Sequence, residues 1–203
     1  MTQSDIVFDL GAALPMPQPS LELRRRLAIR RSAPAQDLAS PGPDAAQVSE
    51  ILTLGARSPD HGKLFPWRFV VLGRKSRADI AEHLAVLAVQ KGLPGKAIAV
   101  LAKLTAAPVS ILVISTAAPG PKPVWEQELS AGAVCMNIEH AAGAFGFSSC
   151  WITDWYSYDA DTLPLFGVRD GERVAGFIHV GTVVEPLLER VRPDVASLTT
   201  TLP

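Results

Sequence analysis

A run of mostly apolar residues near the middle of the chain, Val109–Thr116, constrains the fold more than any other feature. Pro108 opens the run, and a strand this short and this apolar needs cover on both faces. We therefore predict a buried strand between two packed layers. Extended to Ala118, the run still falls short of the roughly 18 residues that a membrane span needs, so we expect no membrane association.

Helix-end signals and hydrophobic periodicity predict the elements around this strand. Ser20 is a good N-cap for a helix that runs into Arg30, and Asp44 with Gln47 forms a capping box for a second helix. We predict further helices over about 76–90, capped by Ser76, and over 95–104, 124–145 and 160–166, and further strands over 68–72, 149–153 and 174–180. Helices and strands do not alternate regularly, so the order predicts an α+β fold with a mostly antiparallel sheet flanked by helices.

The first 19 residues differ in character from the rest of the chain. They include Pro15, Pro17 and Pro19, and we interpret residues 1–19 as an N-terminal extension and residues 20–203 as one domain. Asp5 and Asp9 occupy a region where a signal peptide would be cationic and then apolar, so we expect a cytoplasmic protein.

Charge and cysteine content exclude several classes of function. The formal net charge of -1 argues against a nucleic-acid partner, which usually requires a strong basic excess. Cys135 and Cys150 form no C-x-x-C pair and are predicted to be buried, reduced thiols. The histidines show no metal-ligand spacing, and no metal is expected. They are His61, His83, His140 and His179.

Well-known catalytic and nucleotide-binding motifs are absent from the sequence. There is no G-x-G-x-x-G after a strand, no P-loop and no G-x-S-x-G, so neither a tightly bound dinucleotide nor an esterase is supported. We assign no residue a catalytic role as acid, base or nucleophile.

Two segments carry residues suited to binding chemistry. Arg30-Arg31-Ser32 follows a helix, and its two guanidinium groups and hydroxyl are able to hold a phosphate; a solvated basic helix end is the alternative. The loop from Arg57 to Arg68 combines a cation, His61, a glycine and a rigid Pro66-Trp67 exit, although an ordinary connection anchored by Trp67 would look similar. The long helix over 124–145 is rich in small residues, which fits tight core packing or an interface.

Together these segments resemble the nitroreductase family, in particular its compact single-domain branch. The resemblance covers most of the chain after Pro19, and the order and spacing of its parts are more specific than any one of them. The matching parts are Arg30-Arg31-Ser32, the loop from Arg57 to Phe69, Trp125–Gly132, Phe147–Thr153, and Gly176-Phe177 with Val180-Gly181-Thr182.

The resemblance implies a homodimer with two FMN sites at the subunit interface and NAD(P)H as the hydride donor. Arg30, Arg31 and Ser32 would hold the phosphate and ribityl chain. Arg57 would contact the flavin and His61 would reach the flavin of the other subunit. Trp151, Ile152 and Thr153 would lie along the isoalloxazine ring, and Ala141 would contact the nicotinamide side. Arg190 and Arg192 resemble a phosphate-binding pair that is common in larger family members and often absent from the compact branch.

The activity implied is a ping-pong transfer of hydride through flavin N5 to a small electron-poor acceptor, such as a nitroaromatic compound or a quinone. Several alternatives stay open at this point. The same fold and cofactor also serve enzymes that oxidise a substrate with O₂, dehalogenate it or cleave a flavin. A flavin-binding protein without turnover and a purely structural dimeric module are further alternatives.

Overall fold

A computed structural model describes residues 8–202, and its centre is a four-stranded antiparallel sheet in the order β1-β2-β4-β3. The strands are β1 (Trp67–Leu72), β2 (Val109–Ser115), β3 (Ser148–Ile152) and β4 (Arg173–Gly181). Six of the seven residues of β2 are buried, as the apolar run predicts, because β2 lies between β1 and β4 with helices over both faces.

The described residues contain six α-helices. They are α1 (Leu21–Ile29), α2 (Ala45–Gly55), α3 (Arg74–Gln90), α4 (Gly95–Ala99), α5 (Ala102–Ala106) and α6 (Val124–Ala144). Short 3-10 turns occur at Ala35–Asp37, Trp155–Ser157, Leu163–Phe166 and Ala196–Leu198. The predicted α+β class and the antiparallel sheet are confirmed.

Two hydrophobic clusters fill the two faces of the sheet. The first joins α2 and α6 to one face and includes Ile51, Val134, Ile138 and Ile178. The second joins α3 and α5 to the other face and includes Leu84, Leu104, Tyr156 and Phe177. Cys135 belongs to the first cluster and Cys150 is buried in the sheet, so both cysteines are buried, as predicted.

Local capping signals are confirmed where they stand at helix starts. The Ser20 side chain accepts a hydrogen bond from the Leu23 N–H. Both bonds of the capping box form between Asp44 and Gln47. The φ of Gly146 is +85°, a backbone conformation that suits glycine and ends the chain's helical path after α6.

Three predicted helix boundaries were wrong. Helix α3 begins at Arg74 after Gly73, so Ser76 lies within its first turn and does not cap it. The helix predicted over 95–104 is two short helices, and the one over 160–166 is reduced to the 3-10 turn Leu163–Phe166. Pro164 stands in this turn, and aromatic packing of Phe166 on Tyr156 and Phe177 decides the path of the chain here.

The N-terminal region packs little against the rest of its own chain. Leu21, Leu23 and Leu27 of α1 are at least half exposed. Residues 8–19 form neither helix nor strand, and the first seven residues lie outside the described part. The division of the chain at residues 19 and 20 stays a prediction. Among the described helices, none has the length and hydropathy that crossing a bilayer requires.

Candidate functional site

A cavity of about 430 Å³ opens beside the C-terminal end of α6. The end of α1, the last turns of α6, the start of β3 and the segment after β4 form its walls. Its charged lining residues are Arg26, Arg30, Arg31 and Glu139, with His140 beside them, and we call this space the basic cavity. Within residues 8–202, no group of three or more histidine, cysteine, aspartate or glutamate side chains is arranged to bind a metal.

The chain path after α1 places Arg30 and Arg31 at this cavity. Arg30 follows the last helical residue in an extended conformation, and the Ala33 N–H donates to the Ser149 carbonyl at 3.0 Å, which ties the segment to β3. Arg31 donates to the carbonyls of Ser32 and Leu188 at 2.8 and 3.3 Å. Arg30 Nη1 lies 3.4 Å from Ser32 Oγ, so the three residues of the predicted segment remain together.

The C-terminal segment adds a third guanidinium group. Arg192 donates from Nη2 to the Arg30 carbonyl at 3.1 Å, across 162 positions of sequence. Arg30, Arg31 and Arg192 are therefore neighbours, and we call them the arginine cluster. The Arg190 backbone N–H donates to the Glu189 carboxylate, but its side chain makes no hydrogen bond or ion pair within the described chain.

Glu139 is a buried acid in the wall of the basic cavity, with 6% of its surface exposed. Its Oε2 atom lies 3.9 Å from Arg30 Nη1, and its Oε1 atom accepts a hydrogen bond from Ser149 Oγ at 3.2 Å. Burial raises the pKa of Glu139, and the nearby Arg30 only partly offsets this. Glu139 was not predicted as a site residue; an acidic side chain within a helix segment of small residues is the signal that was available.

Trp151 lies over glycine on both neighbouring elements. Its Nε1 atom donates to the Ala175 carbonyl at 3.0 Å, and a Cβ placed on Gly176 would be 1.9 Å from that same nitrogen. A Cβ on Gly132 of α6 would lie 3.7 Å from the far edge of the ring. Only glycine at position 176 leaves room for this indole, which remains 37% exposed.

The neighbours of Trp151 in β3 point in different directions. Ser149 and Trp151 face α6, whereas Ile152 packs into the cluster on the opposite face of the sheet. Thr153 accepts a hydrogen bond from the Tyr158 hydroxyl and lines a second cavity of about 410 Å³, next to α4. Ser148 and Thr153 are five residue steps apart along extended chain, or roughly 16 Å, so β3 leads from one cavity to the other.

Ala141 is buried in the core cluster between α6 and the sheet. Its helix neighbours His140 and Gly143 line the basic cavity instead. Within a single chain Ala141 is thus not at the cavity surface.

His61 lies near the opposite end of α6, whereas Arg57 lies beside the second half of this helix, since Ser58 Oγ next to it accepts a hydrogen bond from Asn137 Nδ2 at 2.9 Å. The His61 ring pairs with Glu126 at 2.5 Å, and Ser130 Oγ donates to the Pro59 carbonyl. Glu126 and Glu139 are 13 residues apart, or roughly 20 Å along the helix. One chain therefore brings the arginine cluster, Ser32 and Trp151 to one region but leaves His61 far from the basic cavity, and Arg57 is not among the residues that line it.

The loop that carries His61 has an unusual backbone. Lys63 and Phe65 adopt positive φ angles of 58° and 48°, which non-glycine residues seldom take. The Asp60 side chain accepts the Phe65 N–H at 2.8 Å and holds this shape. Such outliers cluster at functional sites, and no local signal in the sequence identified them.

We expect Gly176→Ala to destabilise the protein because its methyl group would displace the Trp151 indole. Overpacking of this kind typically lowers the free energy of unfolding by about 1–3 kcal/mol. In a chain of this size, that corresponds to a fall in Tm of roughly 2–12 °C. Differential scanning calorimetry measures the change.

Gly95→Ala is the matched control for this prediction. No atom lies within 4 Å of a Cβ at Gly95 and its φ is not in the left-handed region, so the Tm should change little. Equal Tm values for the two variants would contradict the close contact between Gly176 and Trp151.

The fold and the cavity together define a class of protein. It is an α+β protein in which one strand of an antiparallel sheet begins at a cavity, and the arginines that line this cavity suit an anionic group. The chain belongs to the nitroreductase family, whose sequence model matches residues 30–182. The match begins at Arg30 and ends at Thr182, so α1 and the segment with Arg190 and Arg192 lie outside it.

Curated relatives are similar over most of their length. The Escherichia coli K12 protein named "Putative NAD(P)H nitroreductase YdjA" is 35% identical over 155 residues, which cover 75% of this chain and 84% of that protein. A Haemophilus influenzae protein named "Putative NAD(P)H nitroreductase" is 32% identical over 151 residues, covering 73% of this chain and 82% of the relative.

Solved structures share the fold at lower sequence identity. A nitroreductase-like family protein from Bacillus cereus superposes with a TM-score of 0.77 at 17% identity, covering 92% of this chain and 99% of that chain. A Desulfovibrio desulfuricans protein solved in complex with FMN gives a TM-score of 0.70 at 21% identity, covering 91% and 99%.

Proposed function

We propose that this protein is an FMN-dependent NAD(P)H oxidoreductase that acts by a ping-pong cycle on small electron-poor acceptors, such as nitroaromatic compounds or quinones. The observation that carries the proposal is the arginine cluster at the basic cavity, from which β3 leads past Trp151 to the second cavity. Family membership, the names of the curated relatives and the FMN complex of the Desulfovibrio protein support it.

The chemistry of the basic cavity fits a phosphate group. Arg30 and Arg31 line it, the Ser32 hydroxyl lies 3.4 Å from Arg30 Nη1, and Arg192 is hydrogen-bonded to the same segment. Arginine forks match phosphate oxygens in geometry, and a partly desolvated cavity strengthens each charge-assisted hydrogen bond. Arg190 is proposed as a weaker, more solvated member of this binding site.

The isoalloxazine ring is proposed to lie along Trp151, Ile152 and Thr153. Because the Ile152 side chain faces the core, this residue would contribute through its backbone. When bound, FMN supplies the redox chemistry, accepting hydride from NAD(P)H and passing it to the acceptor. The chain itself would position the ring and exclude water. Ala141 is proposed as the nicotinamide-side contact. Because Ala141 is buried within one chain, the nicotinamide would need a path to this face of α6.

A homodimer would bring Arg57 and His61 to the site. We propose that both residues approach the FMN held by the arginine cluster of the other subunit. Within one chain His61 lies about 20 Å from Glu139 along α6, and Arg57 is not among the residues that line the basic cavity. Trp125 and Leu129 on the same helix are 66% and 53% exposed, apolar surface that a second copy would cover. Arg57 would then stabilise negative charge that develops on the ring during reduction.

The purified protein should be yellow and hold about one FMN per chain. Under anaerobic conditions NADH or NADPH should bleach the flavin absorbance, and a nitroaromatic compound or a quinone should restore it. Bound FMN that neither nicotinamide reduces would favour a flavin-binding protein without turnover. Colourless protein that takes up no added FMN would contradict the proposed function.

A further inference from the structure

Glu139 is a buried charged group to which the proposed function assigns no role. It lies in the wall of the basic cavity, where a second anion would be close to its carboxylate. Its Oε1 atom accepts a hydrogen bond from Ser149 Oγ of β3 at 3.2 Å. This bond orients the side chain so that Oε2 faces Arg30 at 3.9 Å.

The charges around Glu139 do not favour two anions in this space. Arg26, Arg30 and Arg31, from α1 and the residues after it, line the cavity, as does His140 of α6. The thiols of Cys135 in α6 and Cys150 in β3 are buried near the Glu139 carboxylate. Arg192 and Glu189 approach from the C-terminal segment. Arg26 is already paired with Glu22, and Arg192 with Glu189. Among these groups, Arg30 is the guanidinium placed to compensate the buried carboxylate directly.

A phosphate that binds Arg30 would compete with Glu139 for the same guanidinium group. A buried carboxylate that loses its cation and gains a neighbouring anion becomes strongly destabilised. Protonation removes that cost because a neutral carboxyl group keeps its hydrogen bonds and repels nothing.

We propose that Glu139 is a positioning residue that couples cofactor binding to proton uptake: it orients Arg30 in the apoprotein and takes one proton from solvent when the phosphate of FMN binds Arg30. The inference rests on the proposed function, since it needs FMN at the basic cavity. Its consequence is that FMN affinity falls as the pH rises, because a proton is consumed when the complex forms.

Calorimetric titration of the apoprotein with FMN at pH 8, in buffers of different ionisation enthalpy, measures the protons exchanged. A phosphate monoester is already fully ionised at this pH, since its second pKa is about 6. We expect uptake approaching one proton per FMN, and a dissociation constant that rises by up to about ten-fold for each pH unit. Glu139→Gln should abolish the proton uptake and flatten the pH dependence.

Two controls identify the group that takes the proton. Riboflavin lacks the phosphate, so its binding to the unaltered protein should involve no proton uptake, a comparison that does not depend on the stability of any variant. His140 also lines the cavity and is able to bind a proton, and His140→Gln should therefore retain the uptake that Glu139→Gln loses.

Other outcomes would overturn the inference. Tight FMN binding without proton uptake, equal uptake with riboflavin, or uptake that survives in Glu139→Gln and is lost in His140→Gln would each reject the role of Glu139 while leaving the proposed function intact. Absence of FMN binding at every pH would reject the proposed function itself, and this inference with it.

Discussion

Arg31→Ala is expected to weaken FMN binding by about ten- to a hundred-fold without unfolding the protein. A hydrogen bond to a charged group contributes about 1.5–3 kcal/mol, which corresponds to this range. The Arg31 side chain donates to the backbone carbonyls of Ser32 and Leu188 and belongs to none of the hydrophobic clusters, so little of the fold should depend on it. Equilibrium dialysis of the apoprotein with FMN measures the change.

Arg24→Ala provides a control with the same change of charge. Arg24 lies on α1 and its side chain makes no hydrogen bond or ion pair within residues 8–202. If a phosphate contact is responsible, Arg31→Ala should weaken riboflavin binding much less than FMN binding. Equal losses for both flavins, or equal losses in the Arg24 and Arg31 variants, would refute the role of Arg31.

Mixed dimers should show whether each site is shared between two subunits. In a heterodimer of an Arg31→Ala chain with a His61→Ala chain, a shared arrangement leaves one site intact, because the intact Arg31 and the intact His61 meet there. We expect this heterodimer to bind about one FMN with wild-type affinity, while each homodimeric variant binds FMN weakly at both sites. Two different affinity tags allow its isolation.

The reciprocal heterodimer gives the opposite expectation. When both substitutions are on one chain and the partner is wild type, each shared site carries one defect and none binds with full affinity. Sites contained within one chain would reverse the two results. A protein that sediments as a monomer in the presence of FMN would contradict the proposed assembly altogether.

Features of the fold that depend on a few adjacent residues were predicted well. The apolar run at Val109, the Ser20 cap and the capping box at Asp44 all appear in the structure, because their stabilising contacts are completed within four residues or require only burial. The turn at Leu163–Phe166 was wrongly predicted as a longer helix. Its path depends on aromatic packing of Phe166 against Phe177 of β4, which the local sequence does not reveal.

The same distinction between local and long-range contacts applies to the candidate site. Arg30, Arg31 and Ser32 are adjacent in the sequence and were proposed together, but the approach of Arg192 needs a hydrogen bond across 162 positions. No local sequence signal predicts that the Trp151 indole packs directly over Gly176. The same holds for the positive φ angles of Lys63 and Phe65.

The sequence by itself determined the kind of fold, the central strand, the family resemblance and the pair of arginines at the end of α1. Only the tertiary structure decided which groups share a cavity, that Glu139 is buried against Arg30, and that His61 lies at the far end of the long helix. The physical reason is that hydrophobic pattern and capping act over neighbouring residues, whereas burial, electrostatic pairing and cavity shape arise when distant segments pack together.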